Sequence, residues 1–357
     1  MSPVLRLAID AANFPRDRRG MGRLAREVLR TALADPAFEV TLLAAKRSDA
    51  RALRAEFGER YRAAGPLSAR KRRAYDAVWF PWNGMRFGCA APSLVTLHDV
   101  FAFSEPHRER IARRREQAPI LRAAREATRI ATDSTWSRDQ ILATFAAASG
   151  KVEIVAPAPS TYWSAGSGDV LPPHVAAGRY VLLVGAREKR KNARTLIAAC
   201  AAALRGDESL VIVGGLGPED RALVLRSGLR AGEIAASDRM LRALYRNAGV
   251  VAVPSTAEGF GLVPLEAMAC GAPVVASDAS ALPETTGGGA LLLDPYDVPR
   301  WAQSLRRLLD DPPRAEDLRA RGFARVAALD RDGFARGTLE SLRRLATRDE
   351  NFVDRLA

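Results

Sequence analysis

Short β-branched or leucine-rich runs alternate with alanine- and arginine-rich helical stretches along the chain, and the alternation occurs twice. Apolar runs of this length, lacking a polar face, fit strands buried on both sides, which parallel sheets covered by helices provide. The fold class predicted is therefore α/β, with two Rossmann-like doubly wound domains facing across a cleft. In the first half the candidate strands are Leu5–Asp10, Val40–Ala44, Ala77–Pro81, Leu94–Asp99, Arg129–Asp133 and Val152–Ala156. A stretch holding Pro157, Pro159, Gly166, Gly168, Pro172 and Pro173 breaks both periodicities and reads as a linker. The second set is Tyr180–Val184, Leu210–Val213, Val250–Val253, Pro273–Ser277 and Ala290–Leu293. With 357 residues, 48% of them hydrophobic, the chain can bury two cores. The expected domains are residues 1–165 and 166–335, with a helical tail, 336–357, packing back on the first.

Ligands of such sheets bind beyond the carboxyl ends of the strands, so those ends are where chemistry is expected. The most informative segment is Val250–Ser277, VVAVPSTAEGFGLVPLEAMACGAPVVAS. A strand ends near Pro254, and Glu258-Gly259-Phe260-Gly261 forms a loop whose glycines let backbone approach a ligand, with Phe260 available to cover it. Pro264 suits the first turn of the following helix and Gly271 its end. Free amides at that helix start favour an anion, which makes the turn a candidate diphosphate cradle. Glu266, placed in the first helical turn, can accept two hydrogen bonds from a vicinal diol such as a ribose, and Glu258 in the loop can reach a sugar ring. Either glutamate alone would be ordinary, as a helix-dipole partner or a solvated acid. The pair, with its glycines between two buried strands, is far more specific.

On these residues the chain resembles glycosyltransferase family 4, the retaining enzymes of GT-B fold, from about Leu5 to Asp310 and most strongly over Tyr180–Pro295. The resemblance implies that Glu266 binds the nucleotide ribose, Glu258 the donor sugar, and the amides of Gly259, Phe260, Gly261 and Leu262 the sugar and phosphates. After the strand Tyr180–Val184, the loop Gly185-Ala186-Arg187-Glu188-Lys189-Arg190-Lys191-Asn192 offers Lys191 to neutralise a leaving diphosphate. The family places a lysine there. Its usual arginine after the glycine is Ala186 here, leaving Arg187 or Arg190 to substitute.

In the first half, Gly20-Met21-Gly22-Arg23 reads as a loop between a strand and a helix; glycines commonly make turns, but the family has a similar loop near the donor phosphate or acceptor. Gly22 is thus assigned to the donor and Gly20 to the acceptor. His98-Asp99 ends an apolar run and matches a family His-Asp at the cleft, which makes both acceptor-binding candidates and His98, with Glu258 and Lys191, a catalytic one. Within Thr132–Ser137, Ser134 reads equally as an N-cap or a ligand contact. Gly214, Gly215 and Gly217 do not have dinucleotide-fingerprint spacing.

The chemistry implied is front-face displacement at the anomeric carbon, carried mainly by charge stabilisation. No cofactor is implied beyond the nucleotide sugar as co-substrate, and no Asp-x-Asp segment suggests a metal clamp. The donor expected first is GDP-mannose, with UDP-hexoses next, and the acceptor a saccharide or lipid-linked saccharide of surface polysaccharide assembly. A sugar-nucleotide hydrolase, epimerase or phosphorylase shares these features.

The net charge of +13 is uneven: residues 1–165 carry 28 Lys/Arg against 17 Asp/Glu, net +11, and the remainder nets +2. Arg70-Lys71-Arg72-Arg73 and Arg113-Arg114-Arg115 are the densest patches, suiting an anionic bilayer or a lipid-diphosphate acceptor, or simply a solvated helix face. A nucleic-acid-binding role would leave the glutamate pair unexplained and lacks stacking aromatics or a docking element. With no apolar run of about 20 residues and no signal-like start, the expected location is cytoplasmic, peripheral at the inner face of the membrane. Cys89, Cys200 and Cys270 fit neither a disulfide framework nor a zinc site and are expected to be buried thiols.

Overall fold

A computed structural model describes residues 4–18, 20–44, 46–71, 74–104 and 110–347. The chain forms two compact units, 1–157 with 332–357, and 158–331. The first holds a seven-stranded sheet of β1 (Leu5–Asp10), β2 (Phe38–Leu43), β3 (Arg62–Ala64), β4 (Ala77–Phe80), β5 (Ser93–Thr96), β6 (Arg129–Thr132) and β7 (Val152–Ile154), in the order β3-β2-β1-β4-β5-β6-β7. The second holds β8 (Tyr180–Val184), β9 (Ser209–Val213), β10 (Ala231–Ile234), β11 (Val250–Val253), β12 (Val274–Ser277) and β13 (Leu291–Leu293), ordered β10-β9-β8-β11-β12-β13. Every pairing is parallel. Both orders reverse direction once, between β1 and β4 and between β8 and β11, which is the doubly wound topology.

Alternation within the strands divides the second unit's core in two. Tyr180, Leu182, Val251, Val253 and Val274 pack on one face of the sheet. Val181, Leu183, Val250, Ala252 and Val275 pack on the other. A strand of period two that is apolar at every position must be covered on both sides.

Two strands differ from expectation by being present at all: β3 and β10. Both are sheet edges, only partly buried, with sequences RAA and AGEI that carry no apolar run. The proline- and glycine-rich stretch after β7 forms no strand or helix, yet it is anchored. Trp163 is 2% exposed within the second unit's core, and Asp169 receives bidentate Arg242 at 3.0 and 3.1 Å and Arg246 at 2.7 Å.

The helix Gly333–Thr347 packs in the first unit against the helix Gly20–Ala34, and Arg343 ion-pairs with Asp35 while lying 4.7 Å over the Phe38 ring. The expected tail continues over 348–357, outside the described residues. Cys200 and Cys270 are buried free thiols, whereas Cys89 is only half-buried. No helix among the described residues is long and apolar enough to cross a membrane.

Candidate functional site

The switch of strand order between β8 and β11 sets two loops side by side at the carboxyl ends of these parallel strands, 185–192 and 254–261. Asn192, in the left-handed region at φ 52°, stitches them: its Nδ2 donates to the Pro254 carbonyl at 3.1 Å and the Pro295 carbonyl at 2.6 Å. Backbone adds a second tie, Thr256 N–H to the Arg190 carbonyl at 2.8 Å. Asn tolerates this conformation better than other non-glycine residues, so the sequence supplies a turn former where two loops must meet.

Glu258 sits at the junction, 7% exposed. Its Oε1 accepts from Lys191 Nζ at 2.6 Å and from Ser255 Oγ at 2.7 Å, and its Oε2 accepts from Arg190 Nη1 at 2.9 Å. Arg190 also donates to the Ala257 carbonyl at 3.0 Å. Burial pushes the Glu258 carboxyl upward, but the charges of Lys191 and Arg190 and the hydrogen bonds outweigh it and hold the group below the ordinary carboxylate range. The product is a desolvated carboxylate locked ionised between two cations.

Of the two arginines considered for the second cation, Arg190 reaches this cluster. Arg187 is exposed and makes no contact with Glu258, and Ala186 is buried in the core. Two further residues, absent from the sequence-based candidates, stand beside Glu258: Ser255 and Ser280, the latter's Oγ accepting from the Glu258 amide at 2.9 Å. Serines in such turns give no distinguishing pattern, although Ser280 adopts φ 54°.

The loop ends at Gly261, φ 101°, the N-cap of the helix Leu262–Ala269. A Cβ there would also come within 2.9 Å of Leu282 Cδ2, so both conformation and space call for glycine. Two expectations change here. Phe260 does not stand open to cover a ligand: it is 7% exposed in the core, and its carbonyl accepts from Thr285 Oγ1 at 2.6 Å. Glu266 lies one residue past the first helical turn, because the helix begins at Leu262. It is 2% exposed, and its Oε2 accepts from the Tyr245 hydroxyl at 3.2 Å. Tyr245 is itself braced by Trp163, edge-on with ring centroids 5.6 Å apart. Gly259 is buried, and Leu262 is half-buried as the first helical residue.

The remaining candidates belong to the first unit. His98 is 7% exposed, and its Nδ1 lies 2.6 Å from Asp133 Oδ2. Burial lowers its affinity for a proton, but Asp133, Asp99 and the Pro81 carbonyl together raise it above the ordinary histidine value. Asn83, at φ 50°, clamps the turn by accepting from the amides of His98 at 2.8 Å and Asp99 at 3.3 Å. Asn83 has a signal in the sequence, since Asn-Gly after a strand marks a turn. Ser134 is the N-cap of Thr135–Thr144, its Oγ accepting from the Ser137 amide at 3.0 Å.

Gly20 and Gly22 are not in a loop. They form the first turn of the helix Gly20–Ala34, and a Cβ on Gly22 would run into the Asp17 carbonyl. Buried Arg26 holds that crossing together, donating to the Asp17 carbonyl at 2.6 Å and the Gly22 carbonyl at 2.8 Å. Glycine is demanded by close backbone packing. Among the described residues, no group of three or more His, Cys, Asp or Glu is placed to hold a metal ion.

Comparison with known proteins bears on this geometry. Residues 178–311 match the family described as Glycosyl transferases group 1. The chain is 32% identical over 249 residues to the O-antigen chain mannosyltransferase B of Escherichia coli, a match covering 66% of this chain and 65% of that relative, just under two thirds of its length. Among solved structures it resembles a sucrose-phosphate synthase from Thermosynechococcus elongatus, with TM-score 0.72, 22% identity, and coverage of 96% of this chain and 100% of that one. It also resembles Anabaena HepE crystallised with UDP and glucose, with TM-score 0.73, 17% identity, and coverage of 95% and 99%. At these identities the structural likeness speaks to the fold, which is GT-B.

Proposed function

Because residues 178–311 are a glycosyl transferases group 1 domain in a chain of GT-B fold, we propose that the protein is a retaining hexosyltransferase using a nucleotide-diphosphate sugar. The observation that carries this reading is the Glu258–Lys191–Arg190 cluster where the switch of strand order between β8 and β11 meets a helix start. A diphosphate arriving there finds Lys191, paired with Glu258, Arg190, paired with Glu258 and with Glu188 at 2.7 Å, and a helix N-terminus behind Gly261. In the proposed reaction the acceptor hydroxyl oxygen bonds to the anomeric carbon on the leaving group's side. The carbon–oxygen bond to the diphosphate breaks, and the acceptor's proton passes to the departing phosphate oxygen. Lys191 offsets the charge that grows on that oxygen, Glu258 orients the sugar, and Glu266 grips the ribose.

The likeness to an O-antigen mannosyltransferase favours mannose from a GDP-linked donor and a saccharide or lipid-linked acceptor of surface polysaccharide or glycoconjugate assembly. A thermal-shift screen against GDP- and UDP-linked hexoses tests this. A donor at about 100 times its dissociation constant stabilises the native chain by about 2.7 kcal/mol, a rise of several degrees. No response to any nucleoside diphosphate or its sugar would sink the reading. Product analysis with and without acceptor separates transfer from hydrolysis or epimerisation, and the anomeric configuration of the product decides retention.

The basic first half supports a second element of the proposal, peripheral binding to anionic membrane. In the helix Arg110–Glu126, Ile111 is 68% exposed beside exposed Arg114 and Arg115, and Leu67, 72% exposed, precedes exposed Arg70 and Lys71. Arg72 and Arg73 lie outside the described residues. Apolar side chains among cations suit the boundary of an anionic bilayer. Binding to vesicles rich in phosphatidylglycerol is expected to fall as salt rises, read by co-sedimentation. Absence of binding at low salt would remove this element.

A further inference from the structure

We propose that the groove between the helices Val298–Asp310 and Pro312–Ala327 and the edge strand β13 is a second anion site, one that binds a phosphate ester separately from the Glu258 cluster. It is a cavity of about 250 Å³ with four arginines in its lining, Arg300, Arg307, Arg314 and Arg321. They are spaced seven residues apart, which brings two onto one face of each helix, about 10 Å from each other along it. Leu293, Leu308 and Leu318 form a floor continuous with the core. The site is thus an apolar base under a cationic rim.

The charges at this rim are not internally spent. Asp317, the only acid in the lining, pairs with Arg321 at 3.1 Å. On the same helices Asp310 pairs with Arg306 and Glu316 with Arg319. Asp297 and Asp311 accept from backbone as N-caps. That leaves Arg300, Arg307 and Arg314 with no side-chain hydrogen bond or ion pair among the described residues, and the lining itself, four arginines against Asp317, nets three positive charges.

Guanidinium forks bind phosphate oxygens bidentately, and several at one cavity favour a diphosphate or a phosphate ester over a monovalent anion. The volume lies just below the range of drug-sized pockets, so the occupant is a small head: a free nucleotide or sugar phosphate, or the headgroup of an anionic lipid. None of the lining residues belongs to the Glu258 cluster.

Calorimetric titration of the full chain with inorganic diphosphate tests the proposal without knowledge of the physiological ligand. Arg307→Gln/Arg314→Gln replaces exposed, unpaired side chains and is expected to leave the melting temperature within a degree or two. The wild-type chain is expected to bind one more equivalent of diphosphate than this variant, or to bind that equivalent at least tenfold more tightly. The same stoichiometry and affinity in both proteins would overturn the site, whether or not the Glu258 cluster also takes diphosphate. A second arm uses phosphatidylglycerol vesicles. If the vesicles displace the diphosphate equivalent that the variant lacks, the occupant is a lipid headgroup; if they do not, the occupant is a soluble phosphate ester.

Discussion

Lys191→Gln is expected to lower turnover by about 10²–10³-fold, the range seen when one preorganised charge-stabilising donor is removed from an active site. The proposed chemistry has no covalent intermediate to share the work, so the barrier depends on how well the departing diphosphate is stabilised. Lys191 is poised for this. Its ammonium is 2.6 Å from Glu258 Oε1, its side chain is only 14% exposed, and its loop is stitched to the neighbouring strand end by Asn192. Arg190 remains in the variant, so nucleotide binding should weaken less than turnover. Single-turnover kinetics with saturating donor gives the first quantity and equilibrium titration of the nucleoside diphosphate the second. Wild-type turnover in the variant would remove Lys191 from the mechanism.

The same substitution has a pH signature. Glu258 titrates in the folded chain below its unfolded value of about 4.3, so the stability it contributes is fully present above that value and lost as pH falls through the lower folded value. Without Lys191 the depression is smaller. The acid limb of thermal stability then still begins near the unfolded value but should be smaller and end at higher pH than in the wild type.

Separating the two glutamates is the second large effect. Glu266→Ala is expected to weaken binding of the free nucleoside diphosphate by about 10–100-fold, because up to two charge-assisted hydrogen bonds to a ribose diol disappear. Glu258→Ala should change that affinity by less than about threefold and instead cut turnover by about 100-fold. The structure adds a control to each. Glu266→Ala removes an acceptor of the Tyr245 hydroxyl in the core, and Glu266→Gln keeps it. Glu258→Ala removes the carboxylate that pairs Lys191 and one of the two that pair Arg190, the other being Glu188, and Glu258→Gln limits that cost by keeping one oxygen acceptor. Calorimetry on all four variants, beside steady-state kinetics, reads both quantities. An equal loss of nucleotide affinity in both alanine variants would refute the division.

Most strands were legible because burial on both faces leaves an unbroken apolar run, as in Tyr180–Val184 and Val250–Val253. The edge strands Arg62–Ala64 and Ala231–Ile234 were not, because a strand covered on one side needs no such run and hydrogen bonds to its neighbour hold it in place. The glycine reading was correct in demand but wrong in place at Gly22: the residue is required, but by an Asp17 carbonyl crossing a helix start. Phe260 shows the converse. An aromatic residue between glycines invites a reading as a lid, and the core claimed it.

The doubly wound class, the pairing of Glu258 with Glu266 around a glycine turn, and the basic loop after Tyr180–Val184 are all written in the primary structure. These follow from local periodicity and spacing, which chain stereochemistry converts directly into helix, strand and turn. Which cation meets Glu258 is set by the folded sheet. Residues 187, 190 and 191 are near neighbours in sequence, but β8 and β11 become neighbours only through the parallel sheet order, which points Arg190 and Lys191 at Glu258 and leaves Arg187 in solvent. Whether a buried carboxylate is ionised depends on such long-range partners, since desolvation alone would protonate it.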